Sequence, residues 1–388
     1  SPNIGYKTCM NISLPTYQTQ IPPGFIDLGA GDPPLSLLPL DLFRDAAQVR
    51  LSQNDNSFLQ YGTEQGYGPF RTALADFLGK ADGFRVRPEN LFVTNGISGT
   101  LNLICELFTQ AGDTIFVEEP TYFLALRIFA DHKLNIVSLP TDEAGLIIEE
   151  LEEKLKEVRP KFLYFIPTFQ NPSGHTLTQD RRDHLVELSQ KFGFLLVADE
   201  VYQFLSYTQA PPKSFAAYTN VENIIALGSF SKILAPGLRL GWFHAHPEKI
   251  KHFVGCGLLD SGGGLNPFTS AIVTGVIESS GLEKNIASLN DIYRGRVKVM
   301  DDVLHQHLPQ LTYIVPHGGY FFWIRLPHGM DASNLREKAT TFKVDFRPGI
   351  KFSSKGGLRD YIRIGFVYYE AEDIVEGITR LANCLNSK

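Results

Sequence analysis

Cysteine is scarce in this chain of 388 residues: Cys9, Cys105, Cys256 and Cys384 are the only four, and they lie far apart. Without a CxxC pair there is neither the ligand spacing of a zinc site nor the framework of a disulfide-stapled domain, so no metal is expected. Cys105 falls inside an apolar helical pattern, where a buried thiol is the simplest reading. Long apolar runs are also missing. None approaches the roughly 18 residues that a membrane span requires, which excludes a helical membrane protein. Charge of one sign is not in excess either. The 36 basic and 42 acidic side chains leave a formal −6, which gives no basic footprint for nucleic acid. The N-terminal stretch lacks the basic-then-apolar pattern of a secretion signal, and a cytoplasmic protein is expected. Internal repeats and low-complexity segments are absent.

What is present is the composition of a globular protein, with 43% apolar and 20% charged residues on a chain long enough for two domains. Residues 1–44 are rich in proline and glycine and read as a loop-like arm. From there to Asp260 short apolar runs alternate with amphipathic stretches. The runs Leu91–Thr94, Thr114–Glu118, Leu134–Leu139, Phe162–Ile166, Phe194–Ala198 and Ile224–Leu227 are expected strands. Between them, helices are expected over Thr100–Thr109, Thr121–Asp131, Ile147–Val158 and Asp180–Phe192. This alternation predicts an α/β fold in three layers, with a mostly parallel sheet between helices. The glycine-rich Ser261–Pro267 reads as a flexible break. One long helical stretch to about His307 follows, and then strands in Leu311–Leu326 and Tyr361–Phe366 of a smaller α+β domain. The expected division is a large domain over 45–265, with 1–44 and 266–388 forming the arm and the small domain.

The run Gly228-Ser-Phe-Ser-Lys-Ile-Leu-Ala-Pro-Gly-Leu-Arg-Leu-Gly-Trp242 carries the densest chemical signal. A lysine at the mouth of a buried strand is costly to desolvate unless it is paired, neutral or covalently engaged. Lys232 stands there beside Ser229 and Ser231, with Arg239 seven residues on. A nucleophilic amine beside an anion site suits Schiff-base chemistry with pyridoxal phosphate; a surface lysine in a serine-rich turn is the plain alternative. Ligands of open α/β sheets gather at the carboxyl ends of strands, and further polar groups fall there. Asp199 ends an apolar strand, where it needs a cationic partner such as a pyridinium nitrogen or serves as a helix cap. Tyr202 could reach the ring's phenolic oxygen, as could Asn171, whose following proline holds it extended. A simple turn would also account for Asn171. Gly96, Ile97 and Ser98 open a helix, where backbone N–H groups suit a phosphate. Tyr122 fits either a ring-stacking or a core position.

The order and spacing of these segments resemble the fold-type I pyridoxal-phosphate enzymes, the class I/II aminotransferase superfamily with the aspartate-aminotransferase fold. The run through Lys232 is most similar to the branch that holds kynurenine and α-aminoadipate aminotransferases and the MocR effector domain. The resemblance extends from Leu28-Gly-Ala-Gly31 to Ile362-Arg-Ile-Gly-Phe366. It implies that Lys232 forms an aldimine with pyridoxal 5'-phosphate and later shuttles the α-proton. Asp199 would pair with the pyridine nitrogen, Asn171 and Tyr202 would meet the phenolic oxygen, and Tyr122 would cover the ring. Ser229, Ser231, Arg239 and the backbone of Gly96, Ile97 and Ser98 would hold the phosphate. Arg363, aided by Asn171 and Gly31, would take the substrate carboxylate. Tyr61 looks like the tyrosine that reaches the partner subunit's phosphate, which implies a homodimer with a shared active site.

Two departures from the family pattern stand out: Ile97 where a small residue is usual, and Gly99-Thr100 where a glutamine or glutamate is frequent. The triple glycine at 262–264 is expected to open the substrate pocket. The implied activity is transfer of an amino group from an α-amino acid, one with a large or aromatic side chain given Tyr17, Phe25 and Tyr368, to a 2-oxo acid. The same cofactor shell also serves β- or γ-elimination, replacement or cyclisation. A MocR-like effector domain is the third reading, for which residues 1–44 are too short and broken to supply a helix-turn-helix.

Overall fold

The computed structural model describes residues 14–387. In chain order the first elements are β1 (Ile26–Asp27), α1 (Leu40–Ser52), α2 (Gly68–Asp82), β2 (Leu91–Thr94), α3 (Ile97–Phe108), β3 (Thr114–Glu119) and α4 (Phe123–Asp131). Next come β4 (Asn135–Asp142), β5 (Gly145–Leu146), α5 (Ile148–Glu157), β6 (Phe162–Phe165), α6 (Gln179–Phe192), β7 (Leu195–Asp199), β8 (Ile224–Ser229) and β9 (Gly241–Ala245). Four helices follow: α7 (Pro247–Val254), α8 (Gly257–Gly262), α9 (Pro267–Glu278) and α10 (Gly281–His307). The last part holds β10 (Thr312–Tyr313), β11 (Phe321–Arg325), α11 (Ala332–Ala339), β12 (Val344–Asp345), β13 (Arg347–Pro348), β14 (Tyr361–Gly365) and α12 (Ala371–Asn386).

Eight strands form one sheet in the order β2-β9-β8-β7-β6-β3-β4-β5. β8, β7, β6, β3 and β4 run parallel, while β9 runs antiparallel between β2 and β8. The carboxyl ends of β2, β3, β6, β7 and β8 therefore share one edge. Period-2 alternation explains why both faces are apolar. Phe162, Tyr164, Leu195 and Val197 join the core under α3 and α4, whereas Leu163, Phe165, Leu196 and Ala198 join the core with α5 and α6. A second, antiparallel sheet has the order β10-β11-β14-β13.

Several expectations change at this level. β9 is unforeseen: it starts at the end of the lysine motif, with Gly241 and Trp242, and runs on to Ala245. Gly228 admits it: a Cβ there would stand 2.1 Å from the Trp242 ring across the register pair. The long helix after residue 266 is two helices, broken where Ser280 adopts a left-handed conformation. The glycine-rich break is helical as far as Gly262, and the remaining glycines are tightly packed. A Cβ on Gly263 would sit 2.5 Å from the Gly62 carbonyl, and one on Gly264 1.9 Å from that of Thr63. These glycines let the backbones of 62–63 and 263–264 meet; they do not open a substrate pocket, which corrects that expectation. The arm is largely irregular, yet β1 pairs in parallel with β12. Ile26 and Leu28 are buried against α12, where Gly377 has no Cβ to obstruct them.

Candidate active site

Strand ends and the turns that leave them put the expected residues together. Asp199, the last residue of β7, is buried; the Tyr164 hydroxyl donates to Oδ2 at 2.6 Å and the Val201 amide to Oδ1 at 3.3 Å. Burial pushes its carboxyl up to about 6, against the lowering pull of these hydrogen bonds. Just beyond, where Glu200 N–H donates to the Leu227 carbonyl at 3.0 Å, the chain turns Tyr202 back into the cleft. Its ring packs at 5.4 Å on Tyr320 and 6.3 Å on Phe321. Burial raises its pKa far above the usual phenol range.

Lys232 follows β8 in a turn that Ser229 stabilises, its Oγ accepting from the Ser231 amide and donating to Ser231 Oγ, both at 3.0 Å. The Lys232 Nζ donates to the Gly31 carbonyl at 2.8 Å and lies 5.1 Å from the Tyr320 ring centre. Desolvation in the cleft lowers its pKa to about 8; Asp32 acts against this, while Arg363 and Arg239 add to it. Asp32 is a neighbour of the lysine that sequence reasoning did not single out.

Arg363 sits in β14 between β11 and β13, opposite Trp323 and Arg347. It is buried, donates from Nη1 to Asn171 Oδ1 at 2.9 Å and from Nη2 to the Gly29 carbonyl at 3.0 Å, and stacks 3.8 Å from the Phe321 ring centre. Its Nε is buried without a partner among the described residues. An arginine has only donors, so it fixes the Asn171 amide with oxygen inward and leaves the NH2 free to donate elsewhere. The Gly29 and Gly31 carbonyls are presented by the arm, which Arg347 clamps through a two-pronged pair to Asp27 at 2.9 and 2.7 Å. Gly29 makes room for that guanidinium, since a Cβ would lie 2.5 Å from Nη1.

At the start of α3, Gly96 has φ 103° and ψ 170°, a conformation open only to glycine. A Cβ there would be 2.7 Å from Arg239 Nη2, so the guanidinium rests against the helix start with Ile97 and Ser98 beside it. Gly99 leaves space for the Asn95 side chain, whose Oδ1 would be 1.9 Å from a Cβ. The departure at 99 is thus filled from within the same loop. Tyr122, half-buried before α4, has its phenol pushed up to about 12, mainly by burial and further by Asp199. Tyr61 alone stands apart: it is 79% exposed on the surface.

Sequence reasoning missed Tyr164, Glu118 and Gln170. Tyr164 is hidden in an apolar strand. Glu118 is a buried carboxyl that accepts from the Ile166 amide at 2.8 Å, and Gln170 links it to the Pro120 carbonyl, to which its Nε2 donates at 2.7 Å. The only sequence signal for either is a polar residue next to a strand end.

These residues fit pyridoxal phosphate. Among the described residues Lys232, Arg239 and Arg363 have no carboxylate within ion-pair distance, and the two arginines act electrostatically on the lysine. Such a cluster of cationic groups suits anionic ligands such as a phosphate or a carboxylate. Asp199, a buried carboxyl without a cationic partner among the described residues, suits a cationic group. Among the described residues there is no metal-holding cluster and no helix long and apolar enough to cross a membrane.

Comparison with known proteins agrees. The family described as Aminotransferase class I and II matches residues 23–381. The chain is 34% identical to the aromatic-amino-acid aminotransferase 1 of Thermococcus litoralis, over 94% of this chain and 88% of that one. It resembles the crystal structure of Pyrococcus horikoshii kynurenine aminotransferase, a complex with PMP, with TM-score 0.87, 34% identity and coverage of 93% and 90%. It likewise resembles the α-aminoadipate aminotransferase of Thermus thermophilus, complexed with a phosphopyridoxyl-leucine, with TM-score 0.85, 31% identity and coverage of 94% and 92%. The chain belongs to the class I and II aminotransferases, and is a transferase of the aspartate-aminotransferase fold that uses pyridoxal phosphate.

Proposed function

We propose that Lys232 is the catalytic amine and that the residues around it divide the work of transamination. The observation that carries this reading is an amine lowered to about 8 beside two guanidinium groups that have no carboxylate partner among the described residues. When bound, pyridoxal phosphate supplies an electron-accepting ring that stabilises charge left on the substrate Cα. Asp199 would hold a proton on the ring nitrogen, and its burial would make that pairing strong because no water competes. Asn171 Nδ2 and the Tyr202 hydroxyl would donate to the cofactor's phenolic oxygen, and Tyr122 would pack on its ring. Ser229, Ser231, Arg239 and the backbone of 96–98 bind the phosphate. Arg363 orients the substrate carboxylate, with Asn171 and the Gly31 backbone at its side. Lys232 Nζ, near neutrality on the proton scale, takes the α-proton and returns it.

The substrates in this reading are an α-amino acid with a large or aromatic side chain and a 2-oxo acid. The aromatic residues Tyr17, Phe25 and Tyr368 and the activities of the relatives support it. A homodimer with Tyr61 reaching the partner's phosphate fits the exposure of Tyr61 and of Leu40, Leu59, Leu258 and Phe268. The two sheets support a division into a large domain over 45–265 and a small domain with the arm. A cytoplasmic location suits the free thiols of Cys105, Cys256 and Cys384.

The test is Lys232→Ala, assayed with a panel of amino acids and 2-oxo acids. Loss of turnover together with loss of the long-wavelength band of lysine-bound cofactor is expected. A retained band would refute the role of Lys232. Ammonia release by the wild type, without consumption of an oxo acid, would favour elimination over transfer.

A further inference from the structure

Strand register brings one more side chain to the ring-nitrogen carboxylate. β6 and β7 run parallel, with Tyr164 opposite Val197 and Phe165 opposite Ala198. Asp199 lies two residues beyond Val197, so it shares a sheet face with Tyr164 as its diagonal neighbour, close enough for a long side chain to span. The phenol does span it: Tyr164 Oη donates to Asp199 Oδ2 at 2.6 Å. Both residues are buried, at 0% and 2% exposure, so water cannot replace this donor. The Tyr164 ring lies edge-on against Phe129, with centres 5.4 Å apart. The other carboxylate oxygen, Oδ1, receives only a longer 3.3 Å bond from Val201. Tyr164 has no other role in the site and no other hydrogen-bond partner among the described residues.

We propose that Tyr164 is a positioning residue for the cofactor: its hydroxyl fixes the Asp199 carboxylate by Oδ2 and keeps it ionised, so that Oδ1 is aimed at the ring nitrogen. The inference rests on the reading of Asp199 as the partner of that nitrogen. A donor to an anion in a dry site favours the charged form. Burial alone drives this carboxyl toward neutrality, and Glu118 close by adds a second acid that would compete for charge. Without the phenol, Asp199 would hold the ring proton less firmly and would be free to rotate.

The experiment uses the holoenzyme loaded with pyridoxal phosphate labelled with 15N in the ring, and reads the nitrogen's chemical shift across the neutral pH range. Tyr164→Phe, Asp199→Asn and Phe129→Leu are compared with the wild type. A charged hydrogen bond is worth roughly tenfold or more in an equilibrium. In Tyr164→Phe the nitrogen should therefore lose its proton about one pH unit lower, and kcat should fall about tenfold with little change in KM. Asp199→Asn should shift the nitrogen further, and Phe129→Leu should leave it in place.

An unchanged nitrogen in Tyr164→Phe beside a shifted one in Asp199→Asn would overturn the role of Tyr164 and leave that of Asp199 standing. No shift in Asp199→Asn would instead refute the pairing of Asp199 itself. Equal shifts in Tyr164→Phe and Phe129→Leu would reduce Tyr164 to packing and also overturn the proposal. Should Tyr164→Phe not fold, the wild type still decides. Its downfield phenol proton must move when cofactor binds, and a resonance indifferent to binding contradicts the inference.

Discussion

Gly96→Ala is the sharpest probe of the phosphate cradle, because two separate penalties follow from one added methyl group. The backbone at φ 103° and ψ 170° lies where only glycine is comfortable, and holding alanine there costs about 1–3 kcal/mol. That strain is common to the free and loaded enzyme and lowers stability. The second penalty concerns the cofactor. The new Cβ would stand 2.7 Å from Arg239 Nη2 and 3.3 Å from Cζ, against normal separations of about 3.5–4.0 Å, so the guanidinium must withdraw by roughly 1 Å. It can do so, since its described tether is a single 3.2 Å bond from Nη1 to the Pro236 carbonyl. If Arg239 binds the phosphate as proposed, withdrawal would forfeit a charge-assisted bond worth about 1.5–3 kcal/mol, or roughly 10- to 150-fold in Kd.

The assay is titration of the cofactor-free protein with pyridoxal phosphate, followed through the absorbance of the bound cofactor, alongside thermal unfolding. Arg239→Ala and the double variant complete a cycle. If Gly96 acts through Arg239, the double variant binds no more weakly than Arg239→Ala alone. Full additivity, or a lowered Tm with unchanged affinity, would refute the idea that this glycine exists to admit the arginine.

Arg363→Ala should raise KM for the amino acid by about 100-fold, as expected for removing a charged two-pronged contact, while the cofactor band persists; loss of the cofactor instead would contradict its assignment to the carboxylate. Glu118→Gln tests a buried acid whose pKa is raised by burial from 4.5 to about 8. Between those values the folded state holds a proton that the unfolded state releases, so the wild type loses stability as pH rises through that window, by up to a few kcal/mol, roughly. The Tm advantage of the glutamine variant should therefore widen from about pH 5 to about pH 9, and a constant difference would count against the buried charge. Tyr61→Phe should weaken cofactor retention in a concentration-dependent way if the hydroxyl serves a partner subunit, whereas a loss independent of dilution would point to its own subunit.

The parallel strands and the chemistry at their ends were legible because both leave local marks: a short apolar run, then a polar turn. Lys232, Asp199, Asn171 and Tyr202 all obey this rule. What stayed hidden depends on pairing across the sheet. β9 is short and starts at the end of a turn-rich motif, and only its register with Gly228 explains the glycine. Tyr164 looks like any core aromatic until β6 and β7 are aligned. The glycines at 263 and 264 suggested empty space, yet their purpose is close approach by a backbone distant in sequence, which no local pattern records. The arm reads as a loop because two paired residues are too few to show alternation.

The clamp between Asp27 and Arg347 ties the beginning of the described chain to its last third. The carbonyls that hold Lys232 and Arg363 come from residues 29 and 31, but what holds those residues in place is built from residues 344–377. During synthesis the large sheet can assemble as soon as β9 has emerged, since domains fold in the order they appear. The cleft cannot. Until β12, β13 and α12 are made, the arm lacks these partners, and nothing holds the Gly31 carbonyl against Lys232. A chain truncated before β12 is therefore expected to keep the large sheet and to lack a finished site.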